Sequence, residues 1–279
     1  MDKIKVMVNG LPGKMATKVA EHIAKSEDLE LIKYSLTGPE IEGMQKYSGI
    51  EGYIISLIEP KHRFYFRTKI KNIFGAELSK DFISVDYTHP SAVNENAEFY
   101  CSNGLNFVMG TTGGDRKKLE EDVKKSKICA VIAPNMAKQI VAFQAMIEYA
   151  AKTFPDVFKG YKLEIKESHQ KGKADTSGTA KAMVNYFNKL GIPFSAEQII
   201  MIRDPEEQKK MGVPDEYLGG HGWHTYTFKS ADDTVLFEFT HNVNGRDIYA
   251  AGTIDAIRYL DEKIKQGYKG RVYSMADVS

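Results

Sequence analysis

His169 and Lys173 stand four residues apart in the stretch Glu167-Ser168-His169-Gln170-Lys171-Gly172-Lys173-Ala174-Asp175-Thr176-Ser177-Gly178-Thr179. A histidine titrates near neutrality and a lysine carries a compact positive charge. Together they can offer a proton donor and a cation to one small ligand. Ser177-Gly178-Thr179 then opens a helical pattern, and free amides at a helix N-terminus, with hydroxyls beside them, form a carboxylate seat. A ligand with two carboxylates would use both features. The plainer reading is a solvated, lysine-rich loop with Ser177 as an ordinary helix cap.

A second chemistry is signalled by Gly10-Leu11-Pro12-Gly13-Lys14-Met15, which follows the apolar strand residues Ile4, Val6 and Val8 and opens a helix. Glycine permits a sharp turn and close approach to a pyrophosphate, which the helix amides then face. The middle glycine of the usual G-x-G-x-x-G is Pro12, and a ligand-free strand–helix turn would look the same. No carboxylate for a ribose 2′-hydroxyl is evident in Tyr34-Ser35-Leu36-Thr37-Gly38, and Lys14 is close by. That tilts the expectation to NADPH, or to use of both NADPH and NADH. Gly110-Thr111-Thr112-Gly113 follows the apolar run Phe107-Val108-Met109, with two hydroxyls suited to a nicotinamide ribose or ring. Ala133-Pro134-Asn135-Met136 ends the next strand and would line the same crevice.

Positioning these residues requires alternating strands and helices. A strand over 4–8, a helix over 14–25 and a strand over 29–34 read as a βαβ unit. Further strands are expected over 53–58, 82–87, 106–109 and 128–132, with helices over 90–103 and 116–126. This is the pattern of an α/β fold whose N-terminal part, residues 1–134, is a Rossmann-like, doubly wound parallel sheet. After Pro134 the pattern changes to a long helix (138–154), a strand (161–167), a helix (178–190) and two antiparallel strands (223–229 and 234–241). Residues 135–245 therefore read as an α+β domain with a mixed or antiparallel sheet.

The chain has 279 residues, 42% of them hydrophobic and 27% charged, with a net charge of +1. That charge offers no global field for a nucleic-acid backbone or an anionic membrane. No apolar run approaches the roughly 18 residues of a membrane-spanning helix. The opening residues run straight into a strand pattern, so no targeting peptide is expected, and two scattered thiols, Cys101 and Cys129, suit a reducing cytoplasm. His221-Gly222-Trp223-His224 has His-x-x-His spacing, but no third ligand is evident, so no metal is expected.

Dihydrodipicolinate reductases combine a Gly-rich turn followed by Arg/Lys-Met, a Gly-Thr-Thr-Gly strand end, and Glu-x-His-His-x-x-Lys-x-Asp-Ala-Pro-Ser-Gly-Thr. The sequence resembles all three in the same order over nearly its whole length, and His241 to Arg246 is similar to the family's His-x-Ala-x-x-Arg. It departs in having Gln170 for the second histidine and no proline before Ser177; both changes resemble the plant-type branch. The resemblance implies that Gly10, Leu11, Pro12, Gly13, Lys14, Met15, Gly110, Thr111, Thr112, Ala133, Pro134, Asn135 and Met136 hold the nicotinamide cofactor. It places Gln170, Ser177, Gly178, Thr179 and Arg246 with His169 and Lys173 around substrate.

The implied reaction is reduction of a cyclic imine dicarboxylate to tetrahydrodipicolinate in lysine and diaminopimelate biosynthesis. His169 is expected as the acid and Lys173 as the polarising cation, with exchange of these roles left open. The resemblance also implies that 246–279 returns to the first domain. It further implies a homotetramer or homodimer built on the second domain's sheet. Two rivals remain: a semialdehyde dehydrogenase, which needs an activated cysteine, and a non-catalytic NAD(P) sensor.

Overall fold

The computed structural model describes residues 2–43, 45–62 and 82–278. Two units emerge: Met1–Lys138 with Tyr249–Ser279, and Gln139–Ile248.

Near-continuous apolar runs build the first unit. Its elements are β1 (Ile4–Asn9), α1 (Lys14–Lys25), β2 (Leu29–Leu31), β3 (Tyr34–Leu36), β4 (Lys46–Tyr47), β5 (Ile55–Ile58) and β6 (Phe82–Asp86). There follow α2 (Val93–Asn103), β7 (Phe107–Met109), α3 (Arg116–Lys125) and β8 (Cys129–Ile132). Val6, Met7, Val8, Val85, Phe107, Val108, Met109 and Val131 are all fully buried, as strands covered on both faces must be. A six-stranded sheet runs β13-β8-β7-β6-β1-β2, every neighbouring pair parallel, where β13 is Arg271–Tyr273. The doubly wound parallel expectation is met.

The segment 29–34 differs from the single strand expected. It divides into β2, which pairs with β1, and β3, which joins a separate sheet in the order β3-β5-β4. The division falls where pairing partners change: the Ile32 amide donates to the Val6 carbonyl, and the Lys33 carbonyl accepts from Ser56. An apolar run shows burial, not which neighbour each end takes.

The second unit follows a period of two. It comprises α4 (Lys138–Thr153), β9 (Lys162–His169), α5 (Gly178–Lys189), β10 (Ile200–Ile202), α6 (Pro205–Lys210), β11 (His221–Lys229) and β12 (Leu236–Asn244). The sheet order is β10-β9-β11-β12, with β10 parallel to β9 and the other pairs antiparallel, so the sheet is mixed. Ile147, Ala151, Ile165, Met183, Phe187, Tyr226 and Phe228 form the core between sheet and helices. Register aligns Leu163, Phe228 and Phe237 in one row, Ile165, Tyr226 and Phe239 in the next, and Glu167, His224 and His241 in a third. One face of the sheet thus passes from apolar to titratable along its strands. Helix α7 (Asp247–Lys265) follows and leads to β13.

Candidate active site

The carboxyl ends of β1, β7 and β8 carry the three strand-end signals along one sheet edge, with the end of β6 between those of β7 and β1. β2 lies on one side of β1 and β6 on the other, a switch of order that opens a crevice beyond the strand ends. Gly10 turns there with φ +103°, and a Cβ would run into the Tyr87 carbonyl, so only glycine fits. The Gly10 amide donates to the Leu36 carbonyl at 2.7 Å and the Leu11 amide to the Ser35 hydroxyl at 3.3 Å, clamping the turn to β3. Leu11 is buried, so it contributes backbone, whereas Lys14 is exposed. Among the described residues no side chain caps the start of helix α1, and its first turn holds no acidic residue. Its amides are left for an outside anion, which fits a dinucleotide pyrophosphate.

The Gly-Thr-Thr-Gly turn is held from below by Asp86. This fully buried carboxylate accepts from the Thr111 hydroxyl at 2.7 Å, the Thr88 hydroxyl at 2.8 Å, the Asn96 amide at 2.8 Å and the Tyr100 hydroxyl at 2.7 Å. The Arg116 guanidinium donates to the Thr111 carbonyl at 2.7 Å. Of the two threonine hydroxyls, Thr111's is therefore spent on the scaffold, while Thr112 is exposed. Asn135 caps its own turn by accepting from the Ala137 amide at 2.9 Å; Ala133 and Met136 are buried and Pro134 is exposed.

In the second unit, β9 ends at His169 and its last turns are fixed by one ion pair. Glu167, with no exposed surface, accepts from Arg203 and from the Ser177 amide at 3.0 Å. Arg203 also donates to the carbonyls of Lys173 (2.8 Å), Glu167 (3.2 Å) and Asp175 (3.3 Å). That single guanidinium ties the basic loop to the strand. The Gln170 carbonyl accepts from the Lys173 amide at 2.9 Å, and the Lys173 ammonium pairs with Asp175 at 2.7 Å. Ser177 caps α5, its hydroxyl accepting from the Ala180 amide at 3.0 Å. Gly178 has open space where a Cβ would stand. The Arg246 guanidinium lies beside Gly220, at the start of β11.

Four histidines converge on this end of the sheet. Nδ1 of His169 is 3.0 Å from the His221 carbonyl, and its Nε2 is 3.1 Å from Nε2 of His224. His224 stacks on His241 at 4.7 Å between ring centroids. Burial lowers the pKa of His169, His221 and His224, and takes His241 down to about 4. Glu167 opposes the shift at His169; Arg203 and Lys173 reinforce it. The folded protein thus binds fewer protons than the unfolded chain wherever ordinary histidine is charged, and stability rises with pH across that range. The urea midpoint is expected to fall as pH drops from about 7.5 to about 5; an unchanged midpoint would count against neutral buried rings.

Both halves of the chain match one family. The model for the N-terminal part of dihydrodipicolinate reductase covers residues 4–136, and that for its C-terminal part covers 139–278. The chain belongs to the dihydrodipicolinate reductase family. It is 46% identical to 4-hydroxy-tetrahydrodipicolinate reductase 1, chloroplastic, of Arabidopsis thaliana, over 99% of this chain and 77% of that one, as the plant-type motif led us to expect. It is 29% identical to 4-hydroxy-tetrahydrodipicolinate reductase of Methanocaldococcus jannaschii, over 99% and 97% of the two chains. The fold is similar to that of dipicolinate-bound dihydrodipicolinate reductase from Paenisporosarcina sp. TG-14, with a TM-score of 0.66 at 20% identity, covering 99% and 100%.

Within this reductase the residues that sequence reasoning missed are mostly supports. Asp86 and Arg116 hold the Gly-Thr-Thr-Gly turn, Arg203 holds the basic loop after β9, and His224, with His241 stacked on it, stands beside His169. His221 and His224 are three apart on a strand and so point to opposite faces, which removes the His-x-x-His zinc reading. Glu167, His169 and His224 do bring ligand atoms within 4.8 Å of one another. The carboxylate is already taken by Arg203 and the Ser177 amide, so the cluster reads as a hydrogen-bond network. Burial raises the thiol pKa of Cys129, and that of Cys101 to about 11. Neither suits the nucleophile of a semialdehyde dehydrogenase.

Proposed function

We propose that His169 and Lys173 carry out the proton chemistry of an imine reduction, with Gln170, Gly178, Thr179 and Arg246 binding substrate. The chain is an NAD(P)H-dependent oxidoreductase that catalyses the 4-hydroxy-tetrahydrodipicolinate reductase reaction of lysine and diaminopimelate biosynthesis. The bound nicotinamide supplies a hydride to the cyclic imine. The protein's part is to seat two carboxylates, polarise the conjugated system and deliver one proton. Lys173 and the start of α5 suit the carboxylates, and His169 suits the proton. The observation that carries this reading is the Arg203 clamp, which draws the Lys173–Asp175 loop onto the end of β9 where His169 stands.

The turn at Gly10–Met15, Gly110–Thr112 and Ala133–Met136 forms the proposed cofactor site, used by NADPH and NADH alike, with Lys14 favouring the extra phosphate of NADPH. The test is loss of nicotinamide absorbance with substrate generated in place from pyruvate and aspartate semialdehyde by its synthase. Turnover is expected with both cofactors, and Lys14→Ala is expected to raise the KM for NADPH about tenfold and leave that for NADH nearly unchanged, the loss of one charged contact. Unchanged constants for both would remove Lys14 from the site. Cofactor binding without turnover would revive the sensor reading.

A homodimer or homotetramer is part of the same proposal. Val235, just before the outer strand β12, Leu236 and Phe237 at its start, and Ile200 and Met201 on β10, are exposed apolar groups of the kind that interfaces cover. No helix among the described residues is long and apolar enough to cross a membrane. We place the protein in the cytoplasm, where free Cys101 and Cys129 would stay reduced.

A further inference from the structure

One carbonyl determines where the hydrogens lie in the histidine cluster. The His221 carbonyl, 3.0 Å from Nδ1 of His169, can only accept, so Nδ1 carries a hydrogen. Burial disfavours the doubly protonated ring, which leaves Nε2 bare. The atom facing it at 3.1 Å, Nε2 of His224, must then be the donor. Nδ1 of His224 is left as an acceptor, and the Tyr226 hydroxyl stands 3.2 Å away to donate to it. The Tyr226 oxygen in turn accepts from Nε2 of His241 at 3.3 Å. That assignment leaves Nδ1 of His241 bare, and it is a buried nitrogen with no hydrogen-bond partner among the described residues. Every donor in the chain points toward His169.

We propose that His224, Tyr226 and His241 are positioning residues that hold Nε2 of His169 as an acceptor in the substrate-free enzyme, so that His169 takes up its catalytic proton only when substrate arrives. This rests on reading His169 as the acid. The one lone pair on the ring that can take a proton is at Nε2, where it accepts from His224. The proton to be delivered, supplied by solvent, binds there once the His224 donor turns or changes tautomer to admit it. A dicarboxylate beside the ring favours the charged form and drives that change. The charged groups around the ring are Glu167 on β9, 4.0 Å from Nε2, Arg203 beyond β10 and Lys173 on the loop; Glu167 favours the proton and the two cations oppose it. His221 from β11 contributes its carbonyl, and its own Nδ1 is 3.0 Å from the Tyr217 carbonyl. Phe143 from α4 closes the far end, 5.8 Å from the His241 ring.

The test uses the full chain with 15N-labelled histidine, together with pH profiles of kcat/KM. In the unliganded protein the NMR signals should show His169 with hydrogen on Nδ1 only. Tyr226→Phe keeps the ring packed against Phe187 and Phe143 and removes only the hydroxyl. It is expected to move the His169 nitrogen signals and to raise the pH of the histidine limb by about half a unit or more, because a bond to the neutral ring is weakened. The same variant should lower kcat about tenfold with KM within about twofold, a fraction of what a proton donor itself contributes. His241→Gln, which keeps a donor for Tyr226, should retain most activity, and His241→Leu should resemble Tyr226→Phe. Unmoved His169 signals and an unmoved limb in Tyr226→Phe would overturn the proposal, as would equal damage from the two His241 variants. The His241 pair decides the matter if Tyr226→Phe does not fold. Full turnover in His169→Ala would instead refute the catalytic reading, while the nitrogen signals would still report on the chain.

Discussion

His169→Ala is expected to lower kcat by roughly 10²–10⁴-fold, the contribution of a well-placed proton donor. The ring is half-buried and held at both nitrogens, by the His221 carbonyl and by His224, so its loss removes the proposed acid without freeing an alternative group to replace it. NADPH binding, followed by fluorescence, should be unchanged, since the turn proposed to hold the dinucleotide belongs to the other unit. The companion variant separates the two roles. Lys173 pairs with Asp175 on the loop and is offered here as the cation that binds and polarises substrate. Its removal should therefore raise KM as well as lower kcat, and leave the histidine limb of the pH profile in place. A Lys173→Ala enzyme that loses its high-pH limb, beside a His169→Ala enzyme of normal profile, would exchange their assignments.

Arg203→Ala should be the most damaging substitution for stability among the residues around the basic loop that follows β9. Glu167 has no exposed surface, and without Arg203 its charge would remain buried beside neutral rings. Breaking one side of a buried pair costs about 3–5 kcal/mol. The loss should appear as a lower urea midpoint, and the surviving folded enzyme should show a raised KM, because the carbonyls of Lys173 and Asp175 lose their shared donor. Adding Glu167→Gln to Arg203→Ala removes the stranded charge and should restore part of the stability. A single variant that costs less than about 1 kcal/mol would mean that the pair is solvated in solution.

The parts of this protein legible in its sequence are those in which adjacent residues do the work. The turn at Gly10, the Gly-Thr-Thr-Gly strand end and the Ser177 cap each lie within a few residues, and each has the backbone geometry its composition requires. The helices expected over 90–103 and 116–126 are found at 93–103 and 116–125, the first preceded by a 3-10 turn at 90–92. The antiparallel pairing of β11 with β12 could also be anticipated, from two alternating segments on either side of a polar turn.

Residues brought together by register were not legible. His224 meets Glu167 and His241 because three strands align in one particular register, and nothing in the spacing of those residues along the chain encodes it. Asp86 lies inside the strand expected over 82–87 with no signal of its own, yet side chains from α2 and the Gly-Thr-Thr-Gly turn bond to it. The three-residue strands β10 and β13 are too short to show a period. Arg203 follows one of them, so its role was hidden with it.

Strand β13 also imposes an order on biosynthesis. A chain leaves the ribosome from its N-terminus, so β1, β2, β6, β7 and β8 emerge long before Arg271–Tyr273. The second unit is continuous, Gln139–Ile248, and can close its own core in the meantime. Throughout that interval β8 has an open side where β13 will later pair. Unpaired strand edges are templates for foreign strands. The unit built on the parallel sheet is therefore the first begun and the last finished, and the nascent chain is most exposed to aggregation while the second unit is being made.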